Sequence, residues 1–200
     1  MTTPTDTCPA WDATRCDGTP RCPPRCPRFV DEQGDPMLVE PLTSTRLDDL
    51  VDVYDAYPER HRSMGLPPIG RERIETWLER LVERGTALVA VNDGRVVGHA
   101  AYAPSSSAEA HMVVFVDPAF HGRGIGTELC RHVVATAADA GHDALLLDVG
   151  GENERALSLY RRLGFETIDR SGNDFRMRLC FDDPIVERVQ RPPALRSIEA

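Results

Sequence analysis

Asp117-Pro118-Ala119-Phe120-His121-Gly122-Arg123-Gly124-Ile125-Gly126-Thr127 is the stretch on which the reading of this chain turns. An apolar run, His111-Met112-Val113-Val114-Phe115-Val116, leads into it. Behind it Ile125, Leu129, Val133 and Ala137 recur at four-residue spacing, as on one face of an amphipathic helix. The stretch is therefore expected to be a loop between a strand and a helix. Gly122, Gly124 and Gly126 allow a sharp turn and a close approach to a ligand with no Cβ in the way, and the first N–H groups of the following helix lack intrahelical partners. A place of that kind holds anions, phosphate above all.

The residues around the glycines exclude the two commonest nucleotide loops. A Walker loop needs a lysine before its Ser or Thr, and the chain contains no lysine. The dinucleotide fingerprint G-x-G-x-x-G fails too, because Thr127 and Leu129 stand where a third glycine would be needed. His121 to Gly126 instead resembles Q/R-x-x-G-x-G/A, the acetyl-CoA pyrophosphate loop of the GNAT family of N-acetyltransferases, with histidine in place of the usual Gln or Arg. A second block follows in order: the strand-like Leu145-Leu146-Leu147-Asp148-Val149, then Asn153, then Ala156-Leu157-Ser158-Leu159-Tyr160-Arg161-Arg162-Leu163-Gly164-Phe165. It is similar to the family's strand and its N-x-x-A-x-x-L-Y-x-x-x-G-F helix, and the resemblance runs from about Met37 to Cys180.

The resemblance implies a GNAT fold, an α/β architecture with a mixed, mostly antiparallel central sheet of six to seven strands flanked by about four helices. It also implies a site. Val114, Phe115 and Val116 would lie along the pantetheine arm like a neighbouring strand. His121, Gly122, Arg123, Gly124, Ile125, Gly126 and Thr127 would hold the pyrophosphate, largely through backbone N–H groups, and Asn153 would be a further polar contact, unless it is simply the N-cap of the helix it precedes. Tyr160 would donate a proton to the departing coenzyme A thiolate, or else serve only as a core aromatic, since it shares the apolar helix face of Ala156 and Leu163. Asp148 is the leading candidate for the general base, with Glu109, His111, His99 or a water chain as alternatives and a binding or capping carboxylate as its plainer role. The implied activity is transfer of the acetyl group of acetyl-CoA directly to a primary amine: a protein N-terminus, a lysine or a small molecule. The alternative is a GNAT-fold module that senses acetyl-CoA without turning it over.

Composition narrows the partners. The 200 residues carry a net charge of −9, and all 23 basic residues are arginine. An acidic chain of this kind argues against generic nucleic-acid binding, and its balance resembles that of proteins from salt-loving microbes. No run approaches the roughly 18 apolar residues of a membrane span, and the polar N-terminus has no signal-peptide core. A cytoplasmic protein, monomeric or homodimeric, is expected.

Outside the central block the chain divides into an arm at residues 1–35, the acetyltransferase domain at 36–181 and a tail at 182–200. The arm is rich in Pro and Asp and holds Cys8, Cys16, Cys22 and Cys26. Four thiolates suit one structural zinc, yet the spacings Cys-x7-Cys, Cys-x5-Cys and Cys-x3-Cys differ from the paired knuckles of common zinc sites. A reduced or disulfide-linked arm is the competing reading. Arg15, Arg21, Arg25 and Arg28 read as a solvated surface, and the domain is expected to survive loss of the arm. Within the domain, apolar stripes predict helices around Leu47–Tyr54 and Ile74–Leu81, separated by an irregular segment in which Arg60, His61 and Arg62 read as a solvated loop or, on the resemblance, as contacts to an acidic substrate in the acceptor groove. Asn92-Asp93-Gly94 predicts a hairpin between Thr86–Val91 and Arg95–Ala103. Further strands are expected at Ala108–Val116, Ala144–Val149, Phe165–Asp169 and Phe175–Cys180. The proline-containing tail is expected on the surface or disordered.

Overall fold

The computed structural model describes residues 15–59, 62 and 66–196. Its strands form one eight-stranded sheet in the order β1(Arg28–Val30), β2(Pro36–Pro41), β3(Thr86–Asn92), β4(Arg95–Ala103), β5(Glu109–Val116), β6(Ala144–Gly150), β8(Asp174–Cys180), β7(Glu166–Ser171). Every neighbouring pair is antiparallel except β5 and β6. The hairpin between β3 and β4 closes through Asp93 and Gly94 with φ values of 47° and 80°. Left-handed geometry at both turn positions is what an Asp-Gly pair is suited to adopt.

Helices cover the sheet unequally. α1(Ser44–Asp55) and α2(Arg71–Arg84) pack on one face, where Leu50, Val51, Tyr54, Ile74 and Leu78 bury against Val89, Val91 and Val96. α3(Ile125–Asp139) and α4(Glu154–Arg162) pack on the other, where Leu129, Val133, Leu157 and Leu163 share a core with Leu145, Leu147, Val149 and Met177. Gly98 lets α3 approach closely, because a Cβ there would lie 2.9 Å from Leu129 Cδ1. Side chains alternate along a strand, so His111 on β5 and Asp148 on β6 point away from the α3 side. Among the described residues no helix covers that face beyond α1 and α2, and β7 is exposed along its whole length.

β5 and β6 pair only over Glu109–His111 and Ala144–Leu146. Farther along, β5 keeps β4 as its partner and β6 keeps β8, so the two parallel strands part and leave a cleft at the centre of the sheet.

The mixed, mostly antiparallel sheet is as expected, with eight strands in place of six to seven and six α-helices in place of about four among the described residues. The surplus comes from the two ends. Residues 28–30 form β1 at the edge of the sheet, and the expected tail forms α5(Pro184–Gln190), capped by Asp183, and the short α6(Pro193–Arg196). Val186 and Val189 of α5 are buried in the α3-side core, which is why this segment is not a loose surface tail.

Arg25 differs from the expected solvated residue in the same way. It is 4% exposed; its Nε and Nη2 donate to Glu128 at 2.5 and 2.9 Å, and its Nη1 donates to the Val189 carbonyl at 2.6 Å. One arginine thus ties the arm to α3 and α5. Burial by itself would raise the Glu128 pKa, but the charge and hydrogen bonds of Arg25, aided by His132 and Arg131, outweigh it and hold the carboxyl at about 2. A folded pKa below the unfolded one means that this stabilisation is complete above the ordinary glutamate range of about 4.3 and is lost as pH falls towards 2. Arg25→Ala, which strands a buried carboxylate, is expected to cost about 3–5 kcal/mol at pH 7. The difference from the parent should shrink between pH 4.5 and 2 in chemical denaturation, since protonation then relieves the stranded charge. A variant within about 1 kcal/mol of the parent at pH 7, the range of an exposed ion pair, refutes this. The same contact bears on the expectation that the domain survives loss of the arm: deleting residues 1–35 removes Arg25 and strands Glu128 in the same way.

Candidate active site

The glycine loop stands where the sequence places it. After β5, Asp117 caps a 3-10 turn at Pro118–Phe120, its carboxylate accepting from Ala119 N at 2.9 Å. The chain then turns through Gly122 and Gly124, at φ 78° and 80°, values that a side chain would strain. The first intrahelical bond of α3 runs from Glu128 N to Gly124 O. The N–H groups of Ile125, Gly126 and Thr127 are therefore left without intrahelical acceptors, at the positive end of the α3 dipole.

These groups border a cavity of about 520 Å³ that runs between the ends of β5, α3 and α4. Loop residues 121–127 line it together with Phe115 and Val116 of β5 and Asn153, Arg155, Ala156 and Leu159 at and in α4. The cavity is large enough for a drug-sized ligand. Unpaired helix N–H groups, two left-handed glycines and nearby arginine suit a polyphosphate. Of the expected cofactor residues, the structure brings together Phe115, Val116, His121, Gly122, Arg123, Gly124, Ile125, Gly126, Thr127 and Asn153. Val114 instead packs against the core on the α3 side.

Several of these side chains have structural duties. His121 Nε2 lies 2.9 Å from the Val116 carbonyl, which also accepts from the Tyr57 hydroxyl at 3.2 Å. The histidine thus pins the loop back onto β5. Asn153 is the N-cap of α4, its Oδ1 accepting from Ala156 N at 3.1 Å, and it lines the cavity at the same time. Arg123 turns away from the loop to Asp31 and Asp35.

The proposed chemical groups lie apart from the loop. Tyr160 does not line the cavity; it is half-buried against the α3-side core, its ring centroid 5.7 Å from that of Phe165. Burial, then the neighbouring Cys130 thiol, pushes its hydroxyl well above the ordinary phenol range. Asp148 lies on the face opposite α3, its Oδ1 accepting from Arg176 Nε at 2.8 Å and its Oδ2 from Nη2 at 3.4 Å, while His111 Nδ1 stands 3.9 Å from the same Oδ2. His111 and Asp148 belong to the two strands that part, so the pair flanks the start of the cleft. Glu109 is bound by Arg178 at 2.8 Å.

His99 is not available as a base for a substrate. It is fully buried, its Nδ1 lies 2.7 Å from the Tyr54 hydroxyl, and burial pushes its pKa down to about 3. Arg60 and His61 lie outside the described residues. Arg62 donates to the carbonyls of Tyr57, Pro67 and Pro68 and so fastens the segment between α1 and α2, and it also lines the cavity.

The zinc reading of the arm finds no support among the described residues, where no group of three or more His, Cys, Asp or Glu could hold a metal ion. Cys16, Cys22 and Cys26 are free thiols, and Cys8 lies outside the described residues. Likewise, no helix among them is long and apolar enough to cross a membrane.

Reasoning from the sequence missed Arg155, whose only local signal is its position two residues after Asn153. Its guanidinium would lie 3.3 Å from a Cβ on Gly122, and it has no ion-pair partner among the described residues. It missed Glu32 as well, for which the sequence around it carries no signal.

Comparison with known proteins addresses the same region. The profile of the Acetyltransferase (GNAT) family matches residues 48–165. An uncharacterized N-acetyltransferase of Methanocaldococcus jannaschii is 31% identical over 154 residues, 71% of this chain and 67% of that protein. Shorter matches to uncharacterized N-acetyltransferases of Mycobacterium tuberculosis span only 54% of those proteins. Among solved structures, the GNAT domain of a Streptomyces lividans protein superposes with a TM-score of 0.66 at 19% identity, covering 76% of this chain and 95% of that one. YncA of Salmonella typhimurium, solved with its cofactor acetyl-CoA, gives 0.58 at 18% identity over 74% and 95%.

Proposed function

The chain belongs to the GNAT family of acetyltransferases, and from that premise we propose that it moves the acetyl group of acetyl-CoA directly to a primary amine. One observation carries the reading: the cavity joins the end of β5, the glycine loop and the capped start of α4, an arrangement that matches the parts of an extended nucleotide thioester. The loop N–H groups and Arg155 would hold the pyrophosphate, and the edge of β5 around Val114–Val116 would align the pantetheine arm towards the parted strands. When bound, acetyl-CoA supplies an acyl group already activated as a thioester.

The residues then have to supply position and protons. Tyr160, on the core side of α4 beside the cavity-lining Leu159, is the proposed donor to the thiolate. The acceptor amine would arrive over the face opposite α3, where His111 and Asp148 flank the start of the cleft. Asp148 is held in place by Arg176, where its carboxylate would orient the amine or take its proton.

Isothermal titration with acetyl-CoA, followed by a thiol-release screen over peptide N-termini, lysine peptides and small amines, tests this reading. Binding with turnover on at least one amine is expected. Binding without turnover on any of them favours an acetyl-CoA sensor, and no binding at all overturns the assignment.

A further inference from the structure

The turn between β1 and β2 reaches across to the glycine loop. Glu32 N donates to the Arg123 carbonyl at 3.1 Å, joining the two backbones. The Arg123 guanidinium, in a residue only 8% exposed, donates to Asp31 and Asp35 and stacks over the Phe120 ring at 4.7 Å. Asp31 in turn accepts from the N–H groups of Gln33 and Asp35 at 3.0 and 2.9 Å, which fixes the shape of the turn. Burial acts to raise its pKa, but these backbone bonds and Arg123 outweigh burial and lower it, so the strut stays charged at neutral pH.

This clasp places one side chain where its charge is unfavourable for the ligand. Glu32 Oε1 would lie 3.2 Å from a Cβ on Gly124, and Glu32 lines the same cavity as the loop. No hydrogen bond or ion pair holds its carboxylate among the described residues. A carboxylate has therefore been carried to the rim of an anion site by a turn that is itself rigid, while its own side chain remains able to swing.

We propose that this turn is a working part of the acetyl-CoA site: Asp31 and Asp35 hold Arg123 as a strut behind the glycine loop, and Glu32 is a negative gate against Gly124 that the incoming pyrophosphate must push aside. The proposal rests on the loop being the acetyl-CoA site. It gives this chain a device that weakens cofactor binding, and the device belongs to the N-terminal segment rather than to the domain recognised from its motifs.

The test is Glu32→Gln, which keeps the shape and removes the charge. In about 20 mM salt, where the screening length is roughly 20 Å, one unit of repulsion is felt at this range; isothermal titration should show acetyl-CoA binding about three- to tenfold tighter than the parent. In about 1 M salt the screening length falls to about 3 Å, and the two affinities should converge. A packing role would not produce that salt dependence. Melting temperatures of the two proteins should agree. A parent that binds acetyl-CoA beside a variant of equal or weaker affinity at low salt overturns the gate and leaves the site assignment standing. A parent that binds no acetyl-CoA overturns both.

Discussion

Gly126→Leu is expected to abolish acetyl-CoA binding while leaving the protein folded. Gly126 occupies the first turn of α3 with an ordinary φ, so a side chain there carries no backbone strain, unlike one at Gly122 or Gly124. A Cβ at this position would make an ordinary 3.5 Å contact with Val116 Cγ2, and a leucine extends from there into the cavity that the loop lines. The displaced ligand groups would be phosphate oxygens, each bonded to backbone N–H groups. Hydrogen bonds to charged groups contribute about 1.5–3 kcal/mol each, and loss of two amounts to at least about a hundredfold in Kd. Isothermal titration on a variant with the parent's melting temperature is the measurement. Unchanged affinity would show that the loop does not hold the pyrophosphate.

The second large effect concerns kcat. Tyr160→Phe retains the ring and its contact with Phe165 and removes only the hydroxyl. Burial and the Cys130 thiol hold that hydroxyl protonated well beyond neutral pH, whereas a free thiol ionises near 8.5. Tyr160 therefore keeps a proton to give when a thiolate is released beside it. A positioned acid contributes about 10²–10⁴ in rate, and kcat should fall by that factor with little change in acetyl-CoA affinity. Tyr160 lies outside the open cavity and on the core side of α4, so a packing role predicts a different outcome: turnover at the parent rate. That result would remove Tyr160 from the chemistry.

Both experiments address the part of the protein that local sequence describes well. The glycine loop was legible because its chemistry is backbone chemistry: glycines at fixed spacing ahead of an apolar helical stripe dictate a turn and a row of exposed N–H groups whatever surrounds them. The strands and helices from Met37 to Cys180 were legible for a related reason, since alternation and four-residue periodicity record which face of an element meets the core. The Asp93-Gly94 hairpin followed from the two positive φ values that the turn requires.

Other features depended on partners distant in the chain. Arg25 reads as one of several solvated arginines until Glu128, 103 residues away, is placed beside it. His99 reads as a candidate base until its strand is buried beneath Tyr54 and Trp77. Asp148 and Arg176 are 28 positions apart and meet only through the register of β6 with β8. α5 spans only seven residues, too short for a periodic stripe, and Val186 and Val189 become core residues only because α3 lies against them.

The sequence by itself determined the family motif, the order of the central strands and helices and the glycine loop, because each rests on interactions within a few neighbouring residues. Only the tertiary structure decided that Arg25 and Phe29 of the arm and Val186 and Val189 of α5 pack into or against the core and that Glu32 faces the glycine loop. It alone decided, too, that Tyr160 packs on the α3 side of the sheet while Asp148 lies on the opposite face. Those facts rest on charge pairing, burial and register across long chain separations, which the spacing of residues along the chain does not record.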